Sequence, residues 1–366
     1  MINYELNRSD LENILGLSCI ENYFLYALKK HTEKYSLIFL QSYLSFEEII
    51  EEFCINKAEY AYFYKIPRLQ TIAENYSIIK FKHQNISDFF LMVDEYNFIC
   101  IAVNPEYIEQ KYKTNLWRND HYILLSKKDD SNFYYLNDSP RDNGIINIRD
   151  VRKIYNNEVI GFSYIDCFSN VQQQDFLEVF YKSLFISQKN RFDYLDNEHI
   201  DFNAARDIFG ILRISRKRMK AFCDNYINAN FMNDYISNID KIYTSLEYMR
   251  LRKKIDLLKV DEFFHEIYKK DNEIIEKLKY NLKEIIMEEI AKKTVNVICE
   301  FAVIKDDVTF SEKLSNLGID SLKMVELIVA LEDKFSIQFD DSKLDPIQLS
   351  TVEDIVDLVK SSYLFE

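Results

Sequence analysis

Apolar and polar positions follow two different rhythms along this chain, and the change of rhythm divides it into three regions. Over 1–168, short strand-like runs predict strands at Phe98 to Val103, His121 to Ser126, Phe133 to Leu136 and Ile160 to Ile165. The polar stretch Lys127-Lys128-Asp129-Asp130-Ser131-Asn132 between two of these runs is a hairpin turn. Earlier, Cys19 to Lys30 places Tyr23, Phe24, Ala27 and Leu28 on one stripe and predicts a helix. The expectation is an α+β domain with an antiparallel sheet. From 169 to 281 helical spacing takes over, as in Phe176, Val179, Phe180 and Leu184, and predicts a helical companion domain. It runs into a helical connector around Asp261 to Tyr280. From 282 to 366 four helices are expected. The first is Lys283 to Phe301, with Ile285, Ile286, Ile290 and Val297 inward. The second starts at Ser321 and carries Leu322, Val325, Leu327, Ile328 and Leu331. A short element lies near Asp345 to Leu349, and the last helix follows Ser350-Thr351, with Ser350 and Glu353 as its capping box.

Composition sharpens this outline. A chain of 366 residues with 48% hydrophobic content has ample material for several packed cores, and its 5 Gly and 4 Pro argue for helix-rich domains with few flexible linkers. Met1 to Asp10 is polar and no 18-residue apolar run occurs, so neither a signal region nor a membrane span is expected. The six cysteines are scattered without CxxC pairs, and histidine is sparse around them. No metal site is expected, and free thiols point to a reducing cytoplasm.

Net charge is -14 and unevenly spread: residues 282–366 hold 9 basic and 18 acidic residues. That balance argues against nucleic-acid binding and for a small acidic domain that docks on basic patches. Two basic runs are candidate receivers: Arg213, Arg216, Lys217, Arg218 and Lys220, and Arg250, Arg252, Lys253 and Lys254. The plain alternative for both is a solvated helix face.

The stretch LGIDSLKMVELIVALEDKFSIQF closely resembles acyl and peptidyl carrier proteins, and the resemblance spans 282–366. It implies a four-helix bundle with 4'-phosphopantetheine attached covalently to Ser321. Asp320 is the neighbouring acidic residue and Gly318 lets the loop turn tightly. A serine at a loop-to-helix boundary has an exposed hydroxyl, and a phosphodiester there is expected to gain from the helix N-terminus. Glu326, Glu332 and Asp333 match acidic positions that meet partner enzymes in that family. The implied partners are a phosphopantetheinyl transferase, an adenylating or loading enzyme, and other carrier or biosynthetic enzymes.

In the first region Cys19 opens its helix, where the helix dipole is expected to lower the thiol pKa. His121 opens one strand and Asp138 ends the next, so a hairpin would set them side by side as a base and its orienting carboxylate. This order resembles papain-like cysteine enzymes, and more narrowly the N-terminal domain of the butirosin biosynthesis acyltransferase family, through CIENYFLYALKK and HYILLSKKDDSNFYYLNDSP. The resemblance implies a papain-like domain over 1–168, with Cys19, His121 and Asp138 catalytic. Related peptidases use an amide six residues before the cysteine for the oxyanion, which here is Asn13, and Asn22 is a competing donor. The expected activity is transfer of an acyl or aminoacyl thioester to an amine acceptor in nonribosomal peptide-like biosynthesis. The alternatives are a thioesterase or peptidase, and a catalytically inactive carrier scaffold.

Overall fold

The computed structural model describes residues 5–11, 17–57, 68–86, 89–113, 121–164, 168, 170–185, 201–302, 308–344 and 348–363. Among them, six strands form one antiparallel sheet in the order β1-β6-β2-β3-β4-β5. These are β1 (Ile79–Asn85), β2 (Phe98–Val103), β3 (His121–Lys127), β4 (Asn132–Asp138), β5 (Arg141–Asn147) and β6 (Tyr155–Tyr164). The predicted strands are all present: β2 keeps its expected bounds, and β3, β4 and β6 run further at one or both ends, while Ile165 lies outside the described residues. The two strands that hydrophobic rhythm did not mark, β1 and β5, are the sheet edges. An edge strand pairs on one side only and tolerates polar residues, so IKFKHQN and RDNGIIN carry little apolar signal.

Strand alternation gives the sheet two apolar faces. One carries Phe98, Cys100, Leu124, Leu136 and Phe162 and is covered by α1 (Cys19–His31), whose Phe24 packs edge-on against Phe162. The other carries Ile101, Val103, Ile123, Leu125, Phe133 and Val159. It packs against α4 (Phe90–Val93), α5 (Pro105–Tyr112) and α6 (Ile148–Ile154), while α2 (Phe46–Ile50) and α3 (Leu69–Asn75) lie earlier in the chain. Gly161 of β6 is required by a close approach: a Cβ there would stand 2.6 Å from the Tyr96 ring and 2.8 Å from Met92 Cε.

The helical region comprises α7 (Asn170–Ser183), α8 (Phe202–Cys223), α9 (Asn233–Arg252) and α10 (Leu257–Phe301). Phe209, Leu212, Ile239, Leu246 and Phe264 share a core with Phe46 of α2. The expected connector and first carrier helix are one continuous helix, α10, because nothing between 257 and 301 is Gly or Pro and the apolar period never breaks. At its side Arg216 is fully buried, and Asp271 accepts from its Nε at 2.7 Å and its Nη2 at 2.6 Å. Tyr235 donates to the same carboxylate, and Arg216 Nη1 donates to Leu44 O at 2.7 Å. Arg218 is likewise buried, at 3% exposure. The basic run at 213–220 is therefore largely interior structure rather than a docking face, which corrects the sequence expectation.

Contacts divide the chain into two compact units, Met1–Glu276 and Lys277–Glu366. In the second, α11 (Ser321–Phe335) and α12 (Val352–Tyr363) join the end of α10, with Ile286, Ile290, Leu327, Leu331, Ile355 and Val359 buried. Residues 345–347 of the expected short element lie outside the described residues, and a 3-10 turn occupies Asp341–Lys343. The last helix is capped one residue later than expected: Thr351 Oγ1 accepts from Asp354 N at 3.2 Å and Asp354 Oδ2 accepts from Thr351 N at 2.8 Å.

Candidate functional site

Two sites emerge, one in each unit. The first starts where α1 starts. Ser18 is the N-cap, and its capping box closes through Glu21, which accepts from Ser18 N at 3.0 Å while Ser18 Oγ accepts from Glu21 N at 3.2 Å. The other Glu21 oxygen accepts from Leu69 N at 3.3 Å and faces Arg218 Nη2 at 4.0 Å. This buried carboxylate sets the height of Cys19, the first helical residue, on the sheet.

Tyr23, one turn on, reaches the β3–β4 hairpin. The ladder there is paired as far as Leu124 with Leu136, and the next pair of the same kind would be Tyr122 with Asp138. The Tyr23 hydroxyl stands between them instead. It donates to Tyr122 O at 2.8 Å, accepts from Asp138 N at 3.0 Å, and lies 3.3 Å from Asp138 Oδ1. One side chain from the helix thus holds open the end of the hairpin where the candidate residues sit.

Alternation then decides who meets whom. His121 and Asn137 belong to the face of Ile123 and Phe133, whereas Asp138 belongs to the face that α1 covers. His121 Nε2 lies 2.5 Å from Asn137 Oδ1, and both residues are buried. Asn137 Nδ2 donates to Pro140 O at 3.0 Å, which fixes the amide orientation. Oδ1 is therefore the atom facing the ring, Nε2 carries the hydrogen, and Nδ1 is the basic nitrogen. Asp138, expected as the orienting carboxylate, instead lies beside Cys19 and Tyr23, with His121 close enough for its charge to favour the ionised form. Sequence reasoning missed Asn137, although counting strand positions in step with His121 would have selected it.

The electrostatics also differ from expectation. Burial and then the Asp138 carboxylate push the Cys19 thiol up to about 11. The amides of Tyr122, Ile20 and Cys19 itself pull downward but do not offset these effects. The helix start therefore fails to produce a resting thiolate. Asp138 is raised above the ordinary carboxylate range by burial, against the opposing influence of His121, Tyr23 and Asn22. Asn22, the competing oxyanion donor, spends its side chain on Asp138, and its Oδ1 is buried without a hydrogen-bond partner among the described residues. Asn13 lies outside the described residues. Alkylation of Cys19 by iodoacetamide is expected to accelerate about tenfold per pH unit from about pH 7 to 9, without a plateau, because only the thiolate reacts. Asp138→Asn removes one of the raising charges and should move the profile to lower pH. Mass mapping of the Cys19 peptide checks both, and a plateau by neutral pH would show a resting thiolate.

The second site is Ser321, the first residue of α11 and exposed. Gly318 turns the preceding loop at φ 74°, a left-handed conformation that suits glycine. Asp320 is the N-cap, and its Oδ1 accepts from Leu322 N at 3.1 Å and Lys323 N at 2.9 Å. Those two amides are already engaged, so a phosphodiester on Ser321 does not draw on them as the sequence suggested. Beside the hydroxyl opens a cleft of about 840 Å³, floored by Met324, Ile328, Phe339 and Leu349. An exposed hydroxyl at a capped helix start, with a cleft of mixed apolar and polar lining alongside, suits a long flexible arm and its cargo. Among the described residues no group of His, Cys, Asp and Glu is arranged to hold a metal ion, and no helix is long and apolar enough to cross a membrane.

The helical unit and its serine define a phosphopantetheine-bearing carrier domain. Residues 293–359 match the phosphopantetheine attachment site family. The chain is 34% identical over 68 residues to an acyl carrier protein of Coprothermobacter proteolyticus, covering 16% of this chain and 80% of that one. It is 38% identical over 66 residues to an acyl carrier protein of Campylobacter lari, covering 18% and 83%. It is 35% identical over 74 residues to acyl carrier protein 4, chloroplastic, of Arabidopsis thaliana, covering 20% of this chain and about half (53%) of that relative. The chain belongs to the acyl carrier protein family through this C-terminal unit. It carries 4'-phosphopantetheine covalently, and the arm supplies the thiol on which an acyl group rides as a thioester. A carrier of this kind works with a phosphopantetheinyl transferase and with other biosynthetic enzymes.

Proposed function

We propose that the N-terminal unit is a cysteine acyltransferase that takes an acyl or aminoacyl group from a phosphopantetheine thioester and passes it to an amine, within nonribosomal peptide-like biosynthesis. The observation that carries this reading is Asp138, which acts on the Cys19 thiol at the start of α1 and is itself acted on by His121, whose ring is held through Nε2 by Asn137. In the proposed reaction Cys19 Sγ attacks the thioester carbonyl as its proton passes to His121 Nδ1. The tetrahedral adduct then expels the arm's sulfur, which recovers that proton. The incoming amine attacks the acyl-Cys19 carbonyl and gives a proton to His121, and Cys19 Sγ leaves and is reprotonated. Because the thiol is neutral at rest, base and nucleophile act together rather than as a preformed ion pair. Asp138 would steady the imidazolium that forms transiently, in line with the pull of His121 toward its ionised form. A thioester-to-amide exchange is downhill, so this step needs no nucleotide.

The test uses the full chain, loaded with an acyl thioester and incubated with and without an amine acceptor. Amide formation is expected only with Cys19 present, with an acyl adduct on Cys19 visible by mass mapping of the Cys19 peptide when the acceptor is withheld. Cys19→Ala is expected to reduce the rate about 10³-fold or more. Free acid as the only product would make the unit a hydrolase. Full product formation by Cys19→Ala would make the N-terminal unit a scaffold.

A further inference from the structure

The second basic run behaves unlike the first. Helix α9 ends at Arg252 with Lys253 in the left-handed conformation (φ 52°), the chain turns through Lys254 and Asp256, and α10 begins at Leu257. Every residue from Arg250 to Lys259 is exposed. Within these ten residues stand five basic and one acidic side chain, together with Leu251, Ile255, Leu257 and Leu258. Leu251 is 71% exposed and Leu258 73%, and Tyr248 extends the apolar surface with the Arg252 guanidinium 5.1 Å from its ring centre. A turn between two helices needs no such apolar residues, and polar side chains would serve the fold as well. Leucines set among lysines and arginines on an exposed turn are the composition of a contact surface.

The complementary surface is on the same sequence. Leu322 and Val325 belong to the apolar set of α11, yet they are 72% and 61% exposed, and Val329 is 51% exposed. With Glu326 and Asp333, also exposed, they stand at offsets of three, four, seven and eleven residues from Leu322. That spacing is one helical stripe, apolar and acidic, running beside Ser321. Leucines and cations on the tip answer leucine, valines and carboxylates on the stripe.

We infer that the α9–α10 tip, Tyr248 to Leu258, is a docking surface for the α11 stripe of a second copy of this chain. The apolar residues supply the contact area, and Arg252, Lys253 and Lys254 set its orientation against Glu326 and Asp333. The inference rests on the carrier unit and not on the proposed acyl transfer.

A binding measurement on the full chain tests it. A fluorescent phosphopantetheine placed on Ser321 labels one copy, and unlabelled Ser321→Ala chain is titrated in while anisotropy is read. A saturable rise is expected at low salt and a weaker one at high salt. Arg252→Glu with Lys253→Glu in the titrant, and separately Leu251→Asp with Leu258→Asp, should each weaken binding about tenfold or more. All four side chains are exposed, so the variants should keep the parent circular dichroism. Glu326→Lys with Asp333→Lys in the labelled copy should restore binding to the charge-reversed tip. No rise, or a rise that the tip variants leave unchanged, overturns the inference. So does a tip that binds phosphatidylglycerol vesicles, and loses them on charge reversal, without binding the second copy.

Discussion

Asp271→Ala is expected to lower the stability of the Met1–Glu276 unit by about 3–5 kcal/mol, the cost of leaving a buried cation without its partner. Arg216 is wholly enclosed, and its guanidinium is held by two Asp271 oxygens at 2.7 and 2.6 Å with Tyr235 on the same carboxylate. Removing the carboxylate strands one charge and one phenol in a space that water does not reach. Replacing both partners with apolar residues of similar size, Arg216→Met with Asp271→Leu, should recover most of the loss, because no charge is then buried. Chemical denaturation followed by far-UV circular dichroism checks the pair. If Asp271→Ala proves as stable as the parent, the ion pair is not what holds α8 against α10.

Ser321→Ala is expected to have the largest effect on function and almost none on stability. The hydroxyl is the attachment point, it is exposed, and the N-cap bonds belong to Asp320. Coexpression with a phosphopantetheinyl transferase should add the arm to the parent and nothing to the variant, as read by intact mass. Asp320→Ala should behave differently. Losing bonds to Leu322 N and Lys323 N costs about 1 kcal/mol of helix stability and loosens the serine without removing it. Slower loading, not absent loading, is the expected outcome, and arm addition to Ser321→Ala would disprove the attachment site.

These sites differ in how openly the sequence displays them. The carrier site is contiguous: Gly318, Asp320 and Ser321 lie within four positions, and the turn, cap and attachment point are all local. The start of α1 was equally legible, since Ser18, Cys19 and Glu21 make a local box. Asn137 was not, because the choice between it and Asp138 depends on strand register, a property of the pairing between β3 and β4. The thiol pKa was misjudged for a related reason. The dipole at a helix start is readable from sequence, but the burial and the Asp138 charge that outweigh it come from a segment 119 residues away. Arg216 and Arg218 read as surface charges because their partners, Asp271 and Glu21, are equally remote. Leu322 and Val325 fit the helical period, yet period alone does not say whether an apolar stripe faces a core or a partner.

The carboxylate of Glu21 has a consequence in time as well as in space. It gathers Ser18, Leu69 and Arg218, three stretches of chain that are synthesised far apart. Until Arg218 has left the ribosome, with well over half the sequence already made, the α1 start lacks one of the three anchors that fix the height of its thiol. A nascent chain therefore exposes Cys19 before its surroundings are complete.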